Sequence, residues 1–470
     1  MLWTMVRKEL VQNLLELRFI VCAILCVVLG ALSVFVLRAD LATKRADYSS
    51  NRQLYRQQAE EYGSYRDLEN LGVRVDRPPQ DFQVLFFGME KTTDRTAQIG
   101  GDFMPGFEGN LNANPMVMMM PVADMLFVVG VVLSLLAFFI SYDAVAGERA
   151  SGTLKLLMSY SVPRDLVILA KWIGGYISLA LPFFVSLIFS ALLISVSDEI
   201  GFSAQDWQAF VVSGGVSLIL IAVMFSIGLF FSVCMSNPST SILSLLAVWV
   251  LLALIVPNAG PYVAEIVEPV PDVGQIQRLI AERSKALNDV FSAEMRSMRR
   301  GGNWRSMSRE DRAAVRRKGV EGREELQRNI NRATEQIVRD FERQLQNQVE
   351  VARNITRISP VATYVYANTD IGVTGVRHEQ QLVNSLRAYQ RQFARYVDEK
   401  LEESGGGGTF WGGNNDDRDY SIDDMPVFDY KPEELGMRLE VRSTDVLLLV
   451  VFAVLFFMMA FVAFLRTDIS

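Results

Sequence analysis

Six runs of apolar residues, each long enough to cross a lipid bilayer, constrain this 470-residue chain more than any other feature of its sequence. A membrane-spanning helix needs roughly 17–25 predominantly apolar residues. The pattern predicts an all-α polytopic membrane protein with six transmembrane helices and two large polar insertions, at 38–121 and 258–445. The six predicted spans are 19–37, 122–140, 166–196, 207–235, 239–257 and 446–465.

The residues before the first span have a different pattern. Apolar side chains recur there at helical spacing, with charged residues between them. A helix with this pattern lies at the surface of a membrane. We therefore predict an amphipathic elbow helix over 1–18 that leads into the first span. Its apolar positions are Leu2, Met5, Val6, Leu10, Leu14 and Leu17.

Basic residues in the short loops predict the orientation of the spans, because lysine and arginine are enriched in cytoplasmic loops. They occur before the first span and between the second and third spans, whereas the loop 197–206 has three acidic residues and no basic one. We therefore predict that both termini, including the tail 466–470, are cytoplasmic and that both insertions are extracytoplasmic. The basic residues that support this orientation are Arg7, Lys8, Arg18, Arg149, Lys155, Arg164 and Lys171.

The two insertions are predicted to be mainly helical, with minor β content. In the first, apolar and tyrosine side chains repeat every seven residues over 41–62, so the first transmembrane helix continues outward or a second helix starts at once. One or two short strands are expected within 76–109. In the second, three amphipathic runs within 276–396 favour a helical hairpin or small bundle. The glycine- and aspartate-rich stretch 404–424 is predicted to be a flexible loop.

Arginine is dense within the second insertion and forms a candidate outer basic patch, with an acidic counterpart at 416–429. A solvated helix face that pairs within the domain or dimer is the favoured interpretation. A dock for anionic headgroups or an acidic envelope partner is the alternative. Nucleic acid is not expected as a partner, because no aromatic-interleaved binding motif accompanies the arginines. The candidate patch comprises Arg296, Arg299, Arg300, Arg312, Arg316 and Arg317.

Two neighbouring glycines mark the fourth predicted span. Gly214 and Gly215 lie between serines in the sequence VVSGGVS, and small residues let membrane helices approach closely. We predict a helix-packing position here, either inside one subunit or at a subunit interface.

The sequence excludes several enzyme classes. His378, the only histidine, lies in the second insertion, so Ser–His and zinc-protease chemistry within the membrane is excluded. The chain has no glycine-rich phosphate loop, because GGGGTFWGG lacks the required GK[ST] ending. We predict no catalytic residue, metal site or cofactor in this chain. The methionines in PMVMMMP, at 116 and 118–120, suit Cu(I), but an apolar role is favoured because no histidine or cysteine accompanies them.

The stretch between the second and third spans resembles the cytoplasmic loop of ABC exporter permeases of the type-2 class. In that family an elbow helix precedes the first span, and a short coupling helix, here predicted over 143–164, follows the second. The motif 358–375, ISPVATYVYANTDIGVTG, looks like the subset with a large insertion between the fifth and sixth spans. Positions that match the loop pattern are Glu148, Gly152, Thr153, Leu154, Leu156, Leu157, Pro163, Arg164 and Lys171.

The resemblance implies a permease subunit in a bacterial inner membrane. It implies a second permease subunit, in a homodimer or a heterodimer, and a separate cytoplasmic ATPase that holds ATP and magnesium. Residues expected to couple to the ATPase are Glu148, Arg149, Gly152, Thr153, Leu154, Leu157, Pro163 and Arg164.

Export or extraction of an amphipathic substrate is the expected function, with a periplasmic or envelope protein as a further candidate partner. The alternative is a membrane-anchored scaffold or mechanical-coupling protein, in which no substrate crosses the bilayer.

Overall fold

The computed structural model describes residues 1–88, 96–100, 107–108, 123–160, 162–197, 200–300, 309–403 and 420–467. Most of these residues are helical. The helices are α1 (Leu2–Leu15), α2 (Leu17–Glu61), α3 (Tyr65–Leu71), α4 (Ser134–Ser141), α5 (Ala146–Ala150), α6 (Thr153–Ser159), α7 (Arg164–Ser195), α8 (Ala204–Cys234), α9 (Pro238–Trp249), α10 (Val256–Val267), α11 (Val273–Arg300), α12 (Arg309–Thr356), α13 (Pro360–Ile371), α14 (Val376–Glu403) and α15 (Leu435–Arg466).

Among the described residues, six helical stretches are long and apolar enough to cross a membrane, which confirms the predicted fold class. The second stretch begins with the short turn Met125–Phe127 and a π-helical turn, Val128–Leu133, before α4, and the fifth contains a second π-helical turn, Val250–Ile255. Helix α7 continues through Pro182 without interruption. The six stretches are Phe19–Glu61, Met125–Ala150, Arg164–Ser195, Ala204–Cys234, Pro238–Val267 and Ser443–Arg466.

The chain divides into two compact units, one comprising Met1–Leu254 with Ser359–Ser470 and the other Ile255–Ile358. The boundary falls inside the fifth apolar stretch. The predicted second insertion is therefore shared between the units: α11 and α12 belong to the second unit, and α14 belongs to the first.

Helix α8 is the most enclosed of the six apolar stretches, and close helix–helix packing surrounds it. A side chain at Gly228 would overlap Ser141 of α4, and one at Gly175 would overlap Phe225. Hydrogen bonds from two indole N–H groups also join neighbouring helices. Trp172 donates to Ser226 Oγ at 2.8 Å, and Trp249 donates to Ser134 Oγ at 2.9 Å. Because lipid offers no hydrogen-bonding partner, such interhelical bonds favour one arrangement of the helices.

A short segment of the first insertion closes one end of this bundle. The 3₁₀ helix Asp81–Val84 is followed by Leu85, whose carbonyl accepts from Met125 N at 2.9 Å. Asp124 caps the second apolar stretch by accepting from Phe127 N, and it also accepts from Phe87 N at 3.0 Å. Burial raises the pKa of Asp124 to about 6, against the opposing effect of these backbone donors.

The remainder of the first insertion folds with α14 into a satellite core. Three short antiparallel strands, β1 (Val73–Asp76), β2 (Thr96–Ile99) and β3 (Phe107–Glu108), form a sheet in the order β1-β2-β3, with Val73 opposite Ile99. This agrees with the predicted minor β content. Apolar side chains of α14 pack against it, with heptad-like spacing. They are Leu382, Leu386, Tyr389, Phe393 and Tyr396.

Buried polar groups join this satellite core to the segment before α15, and another joins α15 to α13. Tyr430 Oη lies 2.9 Å from His378 Nδ1, and Arg77 forms an ion pair with Glu379. Arg438 donates to the carbonyl of Ile371 at the end of α13. Burial, followed by the nearby Arg77 and Arg438 charges, lowers the pKa of His378 to about 3, so the imidazole is neutral.

The second unit is an antiparallel hairpin in which α10 and α11 pair in turn with α12. Gly260 approaches Thr356 near the base, and Gly322 approaches Phe291 far along the hairpin. Gln348 donates to the carbonyl of Glu268 at 2.8 Å between these points. The helices on the two sides of the hairpin therefore run in opposite directions. At 1.5 Å per residue, the 48 residues of α12 extend roughly 70 Å.

Several predictions fall partly outside the described residues. The methionine stretch 116–120 and the loop 404–419 lie there, as do the side chains of Arg299, Arg300, Arg312 and Arg316. Arg296 and Arg317 are exposed on the hairpin. Acidic residues of the predicted counterpart that the structure describes form ion pairs within the first unit. Asp424 pairs with Lys400 at 2.8 Å, and Asp423 pairs with Arg56 at 3.2 Å.

Candidate functional site

Two short helices, α5 and α6, lie between α4 and α7. The sequence predicts one coupling helix over 143–164; in the structure α5 ends at Ala150 and α6 starts at Thr153. Gly152 lies between them with a φ of 76°, in the left-handed region, which glycine adopts without steric cost. We call residues 145–160 the bridge segment.

The bridge segment packs across the ends of three long helices. Leu154 of α6 is 1% exposed and belongs to a cluster formed by the first turns of α7 and the last turns of α8 and α15. Burying a leucine in such a cluster stabilises the packed arrangement by about 2 kcal/mol. Its other buried members are Val145, Val167, Ile168, Leu229, Val233, Ala460 and Phe464.

A buried lysine ties the bridge segment to α1 and α7. Lys171, whose side chain is 3% exposed, lies with its Nζ 2.8 Å from Glu148 Oε1 and 3.3 Å from Glu9 Oε1. Lys8 lies 3.7 Å from the same Glu148 oxygen. We call Glu9, Glu148 and Lys171 the ionic triad. A lysine this buried is retained only where carboxylates offset its loss of hydration, so the triad fixes the relative positions of three helices.

Helix α1 packs closely against α7 because a glycine of α7, which has no side chain, faces it. A Cβ at Gly174 would come within 2.7 Å of Glu9 Cβ. One turn further, Asn13 donates to Ser178 Oγ at 3.3 Å. Val6, on the same face of α1, is 2% exposed. The predicted elbow helix is therefore present and packs along the start of α7.

Two arginines of this region donate to the carbonyl ends of neighbouring helices. Arg149 donates to the carbonyls of Val233 and Met235 at the end of α8, both at 3.1 Å. Arg164 donates to the carbonyl of Thr467 at the end of α15 at 3.2 Å. The last carbonyls of a helix have no partner within it, and cations there also interact favourably with the helix dipole. These contacts attach the bridge segment to α8 and the start of α7 to α15.

A serine completes the attachment to α8. Ser232 Oγ accepts from the backbone N–H groups of Val145 and Ala146, at 3.0 and 3.1 Å. Both donors belong to the start of α5, where no carbonyl in the preceding turn is available to them. A buried backbone donor without a partner costs free energy, so this hydroxyl helps to fix where the bridge segment begins.

The eight residues expected to couple to an ATPase differ in their contacts. Glu148, Arg149 and Leu154 face the rest of the protein, whereas Gly152 and Thr153 are exposed. Leu157 is half-buried in the Leu154 cluster. Pro163 is the residue before α7, and Arg164 is its first residue.

Sequence reasoning missed two residues of this site, Glu9 and Ser232. A charged residue on the α7-facing side of α1 is a signal for Glu9, because the other residues on that side are apolar or uncharged. The sequence carries no equivalent signal for Ser232, which is one of many serines in the apolar stretches.

The two predicted packing glycines have different surroundings. Gly214 is buried, and a Cβ there would lie 3.1 Å from Leu187 Cδ1 of α7. Gly215 is exposed, with no atom within 4 Å of a Cβ placed on it. Within the part of the chain that the structure describes, no group of three or more histidine, cysteine, aspartate or glutamate side chains could hold a metal ion.

The fold and the bridge segment define a membrane protein with a six-helix apolar body and a short connecting element fixed across its helix ends. Comparison with known families extends this description. The family model described as "ABC-2 family transporter protein" matches residues 3–469, and the chain belongs to this family.

A curated relative is the "Probable ABC transporter permease protein NosY" of Stutzerimonas stutzeri. It is 30% identical over 144 residues, which cover 28% of this chain and 51% of the relative. The chain thus spans about half the length of this relative. Together with the apolar helices, these matches identify a transmembrane component of the ABC transporter permease type.

Proposed function

We propose that this chain is the permease subunit of an ATP-driven exporter and that a separate ATPase subunit acts on the bridge segment. The observation that carries the proposal is the attachment of this one segment to α1, α7 and α8. Family membership supports an ABC ATPase as the partner. We assign ATP and magnesium to that partner, because the sequence contains no phosphate-binding loop.

The contacts explain how movement would pass into the membrane body. A force on α5 acts on α7 and α1 through the ionic triad, and on α8 through Arg149 and Ser232. Packed helices move as units, because their interfaces are dense and deform little. Displacement of the bridge segment would therefore shift several helices together and open or close a path for a substrate.

The distribution of basic residues supports the orientation. Arg149, Lys155 and Arg164 lie in or beside the bridge segment, and Arg7 and Lys8 lie on α1. We infer that this end of the bundle is cytoplasmic, with both termini, and that the satellite core and the hairpin are extracytoplasmic. A bacterial inner membrane and a second permease subunit, identical or different, complete the proposed assembly.

Purification of the full-length chain from its native membrane tests the proposal. An ABC ATPase should co-purify, and Glu148→Lys should reduce ATPase stimulation at least tenfold, because it replaces the carboxylate closest to Lys171 with a third cation beside Lys8 and Lys171. Glu294→Lys is the matched control: this exposed residue of α11 lies outside the site and should leave ATPase activity unchanged. A complex without ATPase, or normal activity in Glu148→Lys, would contradict the proposal.

A second function, an envelope scaffold that moves no substrate, is favoured by one observation only, the long hairpin. Deleting 273–340 would test it, because the antiparallel register places the two cut ends side by side and keeps α10 paired with the end of α12. An exporter should retain ATPase activity after this deletion. A scaffold should lose its envelope partner and its whole phenotype.

A further inference from the structure

A small pocket lies between α7, α8 and the second apolar stretch. Its walls are mainly apolar and include Phe183 and Leu187 of α7 and Phe210 of α8. Leu85 and Phe86, from the segment that closes one end of the bundle, also line it. The pocket is therefore part of the membrane body and lies next to that closing segment.

Gly214 keeps space free in this pocket. It is buried and lines the pocket, and a Cβ there would lie 3.1 Å from Leu187 Cδ1 on the facing helix. A large side chain at this position would occupy the space between α7 and α8. Gly215 has no such role, because a Cβ on it meets no atom within 4 Å.

The helix surfaces beside the pocket face lipid. Phe184 and Val211 directly follow lining residues on α7 and α8, and they are 48% and 70% exposed. Ile188, one turn after Phe184, is 69% exposed. Apolar side chains exposed on membrane-spanning helices contact the hydrocarbon of the bilayer. A hydrocarbon chain can thus reach the crevice between α7 and α8 without leaving apolar surroundings.

One polar group of the pocket lacks a hydrogen-bond partner. Ser213 is 2% exposed and lines the pocket, and its Oγ forms no hydrogen bond within the described part of the chain. Ser217, one turn further, donates instead to the carbonyl of Ser213 at 2.8 Å. A buried hydroxyl without a partner costs free energy. A ligand with an acceptor oxygen at this point is therefore favoured over a plain hydrocarbon.

The size of the pocket limits what it can hold. Its free space is about 240 Å³, including the open mouth. Pockets that enclose a whole drug-sized ligand have about 300–1,000 Å³. One chain of a larger amphipathic molecule therefore fits better than the whole molecule.

We propose that this pocket binds a fatty acyl chain that enters from the bilayer between α7 and α8, and that the acyl carbonyl oxygen accepts a hydrogen bond from Ser213. The apolar walls hold the chain, and Leu85 and Phe86 cover it on the side of the closing segment. A phospholipid and a free fatty acid share this chemistry. The binding belongs to the membrane body alone, so its test does not depend on the ATPase of the proposed function.

Photoreactive lipids test the site in the full-length chain, reconstituted in nanodiscs. One probe is palmitic acid with a diazirine on its chain, and the other is a phosphatidylcholine that carries the same chain. Crosslinks should form with the lining residues Phe183 and Phe210, and the probe that gives them identifies the source of the chain. Crosslinks confined to the exposed Phe184 and Val211 would overturn the inference, because they would report only lipid around the protein.

The neighbouring glycines provide a matched pair of variants. Gly214→Leu fills the pocket and should lower the labelling of Phe183 at least tenfold, whereas Gly215→Leu adds a side chain in open space and should leave it unchanged. Labelling within twofold of wild type in Gly214→Leu would overturn the assignment of the pocket.

A second pair of variants tests the position of the carbonyl oxygen. Ser213→Ala removes the hydrogen-bond donor and should lower the labelling of Phe183 severalfold. Ser190→Ala is the control, because Ser190 bonds within its own helix, and it should leave labelling unchanged. Equal labelling in the two serine variants would overturn the role given to Ser213.

Discussion

Lys171 Nζ lies 2.8 Å from Glu148 Oε1, although the two residues belong to different helices and the lysine side chain is 3% exposed. The pair holds α5 against α7, and Glu9 extends it to α1. A charge at this depth is stabilising only while both signs are present. The attachment of the bridge segment therefore depends on very few side chains.

Removal of the lysine should be costly. Lys171→Met leaves the exposed Lys8 as the remaining cation beside Glu9 and Glu148 among the described residues. We expect a loss of about 3 kcal/mol in the free energy of unfolding, because the buried partner of both carboxylates is gone. The double variant Lys171→Met, Glu148→Met should recover most of this loss, because two apolar side chains replace an ion pair of similar volume. Thermal unfolding of the purified protein in detergent measures both. Equal melting temperatures for the single and double variants would contradict the assignment.

Ser232 offers a test of the backbone attachment. Ser232→Ala leaves the N–H groups of Val145 and Ala146 without their acceptor, and we expect a cost of about 1–3 kcal/mol. Ser190→Ala is the control, because Ser190 bonds only to the carbonyl of Ser186 on its own helix. That change should cost less than about 0.5 kcal/mol. Hydrogen exchange at residues 145–146 should rise in the Ser232 variant alone.

Close packing around α8 predicts a difference between two glycines of the same helix. A methyl group at Gly228 would overlap Ser141 Oγ, so Gly228→Ala should destabilise the protein by about 1–3 kcal/mol. Gly215 faces open space, so Gly215→Ala should be neutral or slightly stabilising. Thermal unfolding compares the two variants directly, and similar melting temperatures would refute the packing description.

The neutral His378 imidazole predicts a pH dependence of the satellite core. Its folded-state pKa is lowered to about 3 from an ordinary value of 6.5. Between these values the unfolded chain binds a proton that the folded protein does not, so the His378 contribution is fully present above pH 6.5 and falls as the pH decreases toward 3.

The variant His378→Gln removes this titration while retaining an amide partner for Tyr430. The stability difference between wild type and variant should therefore shift in favour of the variant as the pH is lowered from 7 to 4. Melting temperatures across this range measure the shift. A difference that does not change with pH would show that the imidazole is already charged or exposed.

Sequence patterns predicted the helices of this protein well where they depend on local spacing. The six apolar stretches, the elbow helix and the long amphipathic helix α12 follow from hydrophobic periodicity, which short-range interactions largely determine. The third span was predicted to start at Leu166, two residues after the observed start of α7 at Arg164.

Such reasoning could not predict contacts between residues that are far apart in the sequence. Glu9 and Lys171 are separated by 162 positions, and no local pattern shows that they meet. The break between α5 and α6 was also missed, since Gly152 is as compatible with a helix interior as with a left-handed turn until its φ is known. Leu154 and Leu156 look equivalent in the sequence, but the ends of α7, α8 and α15 bury one and leave the other exposed.

The antiparallel register of the hairpin has a consequence for how this protein can change over evolutionary time. The residue numbers of facing positions on the two sides of the hairpin have a nearly constant sum. Equal numbers of residues can therefore be added to or removed from α11 and α12 without disturbing the pairing nearer the base. One heptad added to each of the two helices would lengthen the hairpin by about 10 Å. Its reach is thus adjustable without altering α10 or the Gly260 contact at its base.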